Sequence, residues 1–177
     1  MNTFKNLCKE RIYNKFRHKY SNIMMHPRLI KLVINSSLGS RGNNSSYLKG
    51  FYKEIYEISC QKPLIIKSKS SISNFNIRKG IPNGIKVTLR NNLMFNFISK
   101  FINISIPRIV DFRGFSNRSI DYNGSFNFGY SDHSIFPEIF LSNNKTTPKG
   151  FNINIIISSI ERIDSLIMLK TIGFPFA

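Results

Sequence analysis

Acidic side chains are scarce in this chain: nine Asp and Glu stand against 26 Lys and Arg in 177 residues, a formal charge of +17. So lopsided a balance argues against the mixed-sign surface of an ordinary soluble domain, because self-repulsion gains a free protein nothing. It points to a polyanion, whose condensed counterions are released on binding. Tryptophan is absent and alanine occurs once, at Ala177, whereas Ile, Asn and Lys are abundant. Codons for Ile, Asn and Lys are AT-rich and those for Ala are GC-rich, which indicates an AT-rich genome, organellar or bacterial.

Cysteine is nearly absent as well. Cys8 and Cys60 form no CxxC pair, and His18, His26 and His133 are scattered, so no metal site is expected. Two free thiols of a reducing compartment, or one disulfide, are the readings left. No apolar run approaches the roughly 20 residues that span a bilayer. FNINIIISSI (151–160) is the most apolar stretch and reads as a buried strand. The N-terminus lacks the apolar core and cleavage site of a secretory signal, though its basic residues leave a transit peptide open.

Catalytic patterns are missing too. GSRGNN (39–44) lacks the GxxxxGK[ST] order that cradles phosphates, and FRGFSNRS (112–119) has no nucleophile elbow. Nothing pairs two carboxylates in one site, and Asp132 beside His133 reads as a solvated polar turn. Catalytic residues and cofactors are therefore not expected, and the chain is not read as an enzyme.

What is present is an α+β alternation without internal repeats. Residues 3–20 place Phe4, Leu7, Ile12 and Phe16 near helical spacing among basic residues. Pro27 precedes a β-rich run, RLIKLVIN. Ser45 and Ser46 are candidate caps for a helix over 46–59 with Leu48, Phe51, Tyr52, Ile55 and Ile58 on one face. PLIIKSK (63–69) and GIKVTLR (84–90) read as strands of a hairpin with a long tip. Asn91 or Asn92 would cap a helix over 91–105 that Pro107 stops. Residues 111–144 suggest irregular strands and long turns. A strand at 151–158 leads into a last helix, 161–172, ended by Gly173.

The hairpin tip, SISNFNIRKGIPNG (71–84), holds Phe75, Ile77 and Ile81 among turn residues, with no acid. Lys67, Lys69, Arg78, Lys79, Lys86 and Arg90 offer phosphate contacts, and Phe75 offers a face to a base or ribose. Gly80 and Gly84 would let backbone amides approach RNA closely. The other reading has Phe75 folded back onto the core.

Together, NIMMHPRLIKLVIN (22–35), QKPLIIKSKSSISNFNIRKGIPNGIKVTLR (61–90), IPRIVDFRGFS (106–116), IFPEI (135–139) and GFPF (173–176) resemble the 5S rRNA-binding ribosomal protein family, numbered five in the bacterial large subunit. The resemblance implies an α+β fold, an antiparallel sheet with helices packed on one face, as a single rRNA-binding domain over 1–177. It implies a place in the central protuberance, holding 5S rRNA, where one is present, against the large-subunit rRNA beside neighbouring proteins. Matched rRNA contacts are Asn35, Gln61, Phe75, Thr88 and Arg90, with Lys67 and Lys69 as phosphate partners. The loop of Ser73, Asn74, Asn76, Arg78, Lys79 and Gly80 is similar to one that reaches the P-site tRNA. Arg108, Asp111 and Arg113, with Phe112 and Gly114, match the neighbourhood of a bridge to a small-subunit protein.

Departures from the family pattern are Asn35-Ser36-Ser37 for Asn-Met-Gly, Cys60 where Gly precedes Gln-Lys-Pro, and Asn91 where Gly follows Leu-Arg. Close RNA approach at residues 36–37 is less expected for that reason. Because residues 6–20 already match the family's first helix, an organelle-encoded protein is expected, mitochondrial first, with plastid or the cytoplasm of an AT-rich bacterium as alternatives. A free-standing RNA-binding or anionic-membrane-surface protein is the rival function.

Overall fold

Alternation along the strands sets the architecture. In β1 (Arg28–Ser37), Leu32, Ile34 and Ser36 are buried while Lys31, Val33 and Asn35 are half-exposed, the period of two that a sheet covered on one side requires. The same pattern buries Ile85, Val87 and Leu89 of β3 (Pro82–Leu89) and Phe151, Ile153, Ile155 and Ile157 of β5 (Phe151–Ser158). With β2 (Leu64–Lys67) and β4 (Phe126–Tyr130) they form a five-stranded antiparallel sheet of order β2-β3-β1-β5-β4. The α+β class read from the sequence is the one observed. The structure is a computed structural model and describes residues 2–141 and 149–177; the expected irregular stretch ends, at 142–144, outside the described residues.

The chain divides into two compact units. Met1–Leu32, Arg90–Phe128 and Asn154–Ala177 form one. Here α1 (Asn2–Phe16) packs against α3 (Asn91–Lys100) and α5 (Arg162–Ile172). Its buried stripe is Cys8, Ile12 and Phe16, a strict i, i+4 spacing. Leu7, expected on that face, is exposed, and the helix ends four residues earlier than expected. After Lys100 the helix widens into a π-helical turn, Phe101–Ser105, and a 3-10 turn, Ile106–Arg108. Pro107 therefore sits inside the closing turn instead of stopping the helix ahead of it. Gly173 ends α5 at φ 116° as expected. Phenylalanine fills this core: Phe115 meets Phe126 at 5.1 Å and Phe128 at 4.8 Å, and Phe126 meets Phe174 at 5.5 Å. Backbone bonds from Phe115 N–H to the Pro175 carbonyl and from Ala177 N–H to the Phe115 carbonyl tie down the C-terminus.

Val33–Leu89 and Gly129–Ile153 form the other unit, with α2 (Ser45–Ser59) and the short α4 (Pro137–Leu141). The cap of α2 is Asn44, whose Oδ1 accepts the amides of Ser46 at 3.1 Å and Tyr47 at 3.5 Å, so neither serine is the cap. Phe51, Ile55 and Ile58 are buried as expected, and so is Glu54. Its Oε2 accepts from His133 Nε2 at 3.0 Å and Lys149 Nζ at 2.8 Å. His133 Nδ1 in turn accepts the Lys149 amide at 3.2 Å. His133 is thus a buried core histidine, not part of a solvated turn. Cys8 and Cys60 are both free thiols.

Candidate nucleic-acid interface

The sequence from Gln61 to Leu89 carries Lys62, Lys67, Lys69, Arg78, Lys79 and Lys86, and no carboxylate. All of these cations are exposed. β2 pairs antiparallel with β3, Leu64 opposite Lys86 and Ile66 opposite Gly84, which puts Lys86 and Thr88 on the side away from Ile85 and Val87. Val33 and Asn35 of β1 take the corresponding side, as does exposed Asn152 of β5. Asn35, Lys86 and Thr88 are therefore brought to one open face of the sheet. Gln61 joins them: its Nε2 donates to the Thr88 carbonyl at 3.1 Å, leaving the other amide hydrogen and the carbonyl oxygen to meet a base edge or a 2′-hydroxyl.

The tip is built, not loose. Ile72 and Ile77 exchange backbone bonds of 2.8 and 3.1 Å, Ser68 N–H donates to Ile81 O at 2.9 Å, and Gly80 N–H to Ser68 O at 3.0 Å. The Lys79 amide donates to Ser71 Oγ at 3.0 Å. Ile77 and Ile81 are half-buried, while Phe75, on a 3-10 turn closed by Asn76 in the left-handed region, is 66% exposed. The ring is not folded onto the core. Ser71, Ser73, Asn76, Ile77, Arg78 and Ile81 line a depression of about 650 Å³, and Ser73, Asn74, Arg78, Lys79 and Gly80 are all exposed.

The two glycines differ in purpose. Gly80 has φ 87° with open space around a built Cβ, so it serves the turn, and its amide already donates to the Ser68 carbonyl, contrary to the expectation that it would be offered to RNA. Gly84 is buried, and a Cβ there would lie 2.9 Å from the Ser36 carbonyl oxygen. The strands need that glycine to come together; RNA does not. Ser36 also faces inward, its hydroxyl donating to the Gly150 carbonyl, which is why residue 36 offers no approach to a ligand.

Arg90 lies in the first unit, exposed, as do Arg108, Asp111 and Arg113. Asp111 and Gly114 adopt φ 55° and 101°, and Phe112 turns inward to meet Phe115 at 4.9 Å. Of the FRG stretch, then, Arg113 is exposed and Phe112 and Gly114 are half-buried. Lys86, expected as a phosphate contact, lies on the open sheet face, and exposed Asn152 is an interface candidate that the sequence reading passed over; its polar position on an alternating strand was the signal.

Electrostatics separate the interface from the interior. Burial acts to raise the Glu54 carboxyl, but hydrogen bonds from His133 and Lys149 outweigh it and hold it below the usual carboxylate range. Burial likewise acts upward on Asp132, and the Ser134 hydroxyl and amide outweigh it. Burial pushes the Cys8 thiol up to about 11, leaving it protonated and inert. Among the described residues no cluster of His, Cys, Asp and Glu suits a metal ion, and no helix is long and apolar enough to cross a membrane.

Family models match most of the chain: that for ribosomal protein L5 over residues 22–78, and that for the C-terminus of the same ribosomal family over residues 82–176. The chain is similar to the large ribosomal subunit protein uL5 of Malacoplasma penetrans strain HF-2, 45% identical over 157 residues, 89% of this chain and 83% of that one. It is also similar to the large ribosomal subunit protein uL5c of Gracilaria tenuistipitata var. liui, 41% identical over 170 residues, 96% of this chain and 93% of the other.

Proposed function

The chain belongs to the ribosomal protein L5 family, a structural and non-enzymatic component of the large ribosomal subunit, and from that premise we propose how it engages its RNA. The open sheet face and the hairpin bind 5S rRNA, large-subunit rRNA or both in the central protuberance. Asn35, Gln61 and Thr88 meet base edges and 2′-hydroxyls, Lys67, Lys69 and Lys86 meet phosphates, and Phe75 stacks on a base or ribose. Arg90 adds a two-pronged phosphate contact. Beyond it, Ser73, Asn74, Asn76, Arg78, Lys79 and Gly80 reach the P-site tRNA, and Arg108, Asp111 and Arg113 face a small-subunit protein. The ribosome is mitochondrial: AT-rich residue usage fits an organelle or a bacterium, and the departures from the family pattern at Ser36-Ser37, Cys60 and Asn91 are what favour the mitochondrion.

The observation that carries this reading is the pairing of a carboxylate-free cationic hairpin with a phenylalanine held in solvent by a hydrogen-bonded turn. Purified large subunits, crosslinked and the attached RNA sequenced, test it. Crosslinks from residues 61–89 to 5S rRNA, or to large-subunit rRNA with tRNA at the tip, are expected. Loss of the protein from subunits at moderate salt would instead favour adsorption by charge alone. Recovery of the chain from plastid ribosomes and not mitochondrial ones would overturn the location.

A further inference from the structure

The unit that holds α1 also carries a groove that the sheet face does not explain. About 490 Å³ in volume, it runs along α1, the turn before β1 and the start of β1. Its apolar lining includes Ile23, Met24 and Ile30, respectively 64, 76 and 47% exposed. These side chains are presented by a closed turn: Asn22 Oδ1 accepts the Met24 amide at 3.0 Å, and His26 N–H donates to Ile23 O at 3.2 Å. Three exposed apolar side chains grouped on one groove, unlike singly scattered ones, make it a candidate interaction site.

Charge says what kind of partner fits. Lys5, Lys9 and Arg28 line the same groove, and no Asp or Glu does. Tyr13, His26 and Phe95 also line the groove and could meet a base, but its most exposed side chains are the aliphatic Ile23, Met24 and Ile30, which offer nucleic acid neither a stacking plane nor a hydrogen bond. A flat bilayer would not fill a concavity. A peptide satisfies both features: methionine adapts to varied apolar surfaces, and an amphipathic helix lays its apolar stripe into such a groove. We propose that this groove docks an acidic amphipathic segment of another protein, its apolar side chains on Ile23, Met24 and Ile30 and its carboxylates toward Lys9 and Arg28. The inference does not depend on which RNA the sheet binds.

A synthetic helix of roughly 18 residues, with leucines along one stripe and glutamates opposite, tests it by fluorescence anisotropy against the full-length protein. Met24→Asp and Arg28→Glu are each expected to weaken binding at least about tenfold, and Lys86→Glu, in the other unit, to leave it unchanged. Both groove positions are exposed, so unaltered melting curves keep the comparison valid. Equal binding by Met24→Asp, or equal binding of a peptide whose leucines are replaced by glutamine, overturns the proposal. A photo-crosslinker at Met24 in purified large subunits should capture an acidic protein segment; capture of rRNA alone, of a basic segment, or of nothing also overturns it.

Discussion

Cys60 and Asn91 stand at φ 54° and 49°, in left-handed backbone that an L residue with a Cβ enters at a cost of roughly 1–2 kcal/mol. Cys60 closes α2, its amide donating to Tyr56 O at 2.8 Å. These are the positions where the family pattern has glycine, so the geometry has been kept while the residue best suited to it has gone. Cys60→Gly is expected to raise stability by about 1 kcal/mol in urea titration; a loss would show that the thiol side chain contributes more than the backbone strain costs. Glu54 makes the opposite prediction. Its removal leaves the Lys149 ammonium, stacked 4.6 Å from the Phe51 ring, buried without a counter-charge. Glu54→Gln should therefore cost roughly 3–5 kcal/mol, and Glu54→Leu with Lys149→Met much less. Because the folded Glu54 and Asp132 carboxyls sit below their ordinary values of 4.5 and 3.8, their stabilisation is complete above those values. It is lost as pH falls through the lowered folded values. Acid unfolding should steepen below about pH 4.5, and Glu54→Gln should flatten that slope.

The β2–β3 hairpin separates two kinds of motif residue at the level of the element. Phe75 is 66% exposed, so Phe75→Ala should weaken RNA binding by about 1–3 kcal/mol with an unchanged Tm. Lowered Tm with unchanged affinity would place the ring in the core after all. Gly84→Ala should do the reverse, destabilising by about 1–3 kcal/mol through its contact with the Ser36 carbonyl while the RNA-facing side chains keep their chemistry. Replacing Arg78 and Lys79 together should disturb tRNA placement while subunit incorporation persists; collapse of incorporation would move the tip's role to rRNA. Much of this hairpin was legible beforehand, because period-two alternation and turn residues are local signals. The bulge between Ile66 and Lys67 and the inward turn of Ser36 were not, since both depend on the neighbouring strand.

For the molecule as a whole, the charge of +17 makes RNA affinity a function of salt. If the face and hairpin neutralise six to ten phosphates, affinity should fall on the order of 10³–10⁵ between 50 and 200 mM salt. A shallow dependence would mean that stacking and hydrogen bonds dominate. The exposed cations on the hairpin are expected to contribute to that slope, whereas the buried Lys149 and the ion-paired Lys19, 2.6 Å from Asp164, already have partners within the fold.

Some of this protein was decided by local sequence. Strand periods, the glycine that ends α5, the missing carboxylates of the hairpin and the ordered family motifs are properties of neighbouring residues, and they sufficed for the class, the partner's charge and the family. Tertiary packing alone decided which motif residues face out. Phe115 and Phe174 lie in stretches that read as family signature yet are buried in an aromatic core, whereas Asn35 and Thr88, in other such stretches, are half-exposed. Packing also took His133 out of a surface turn and into a buried network with Glu54 and Lys149, residues far apart in sequence, while Asp132 stays partly exposed. Burial of a polar group is set by what stands opposite it, and no window along the chain contains that information.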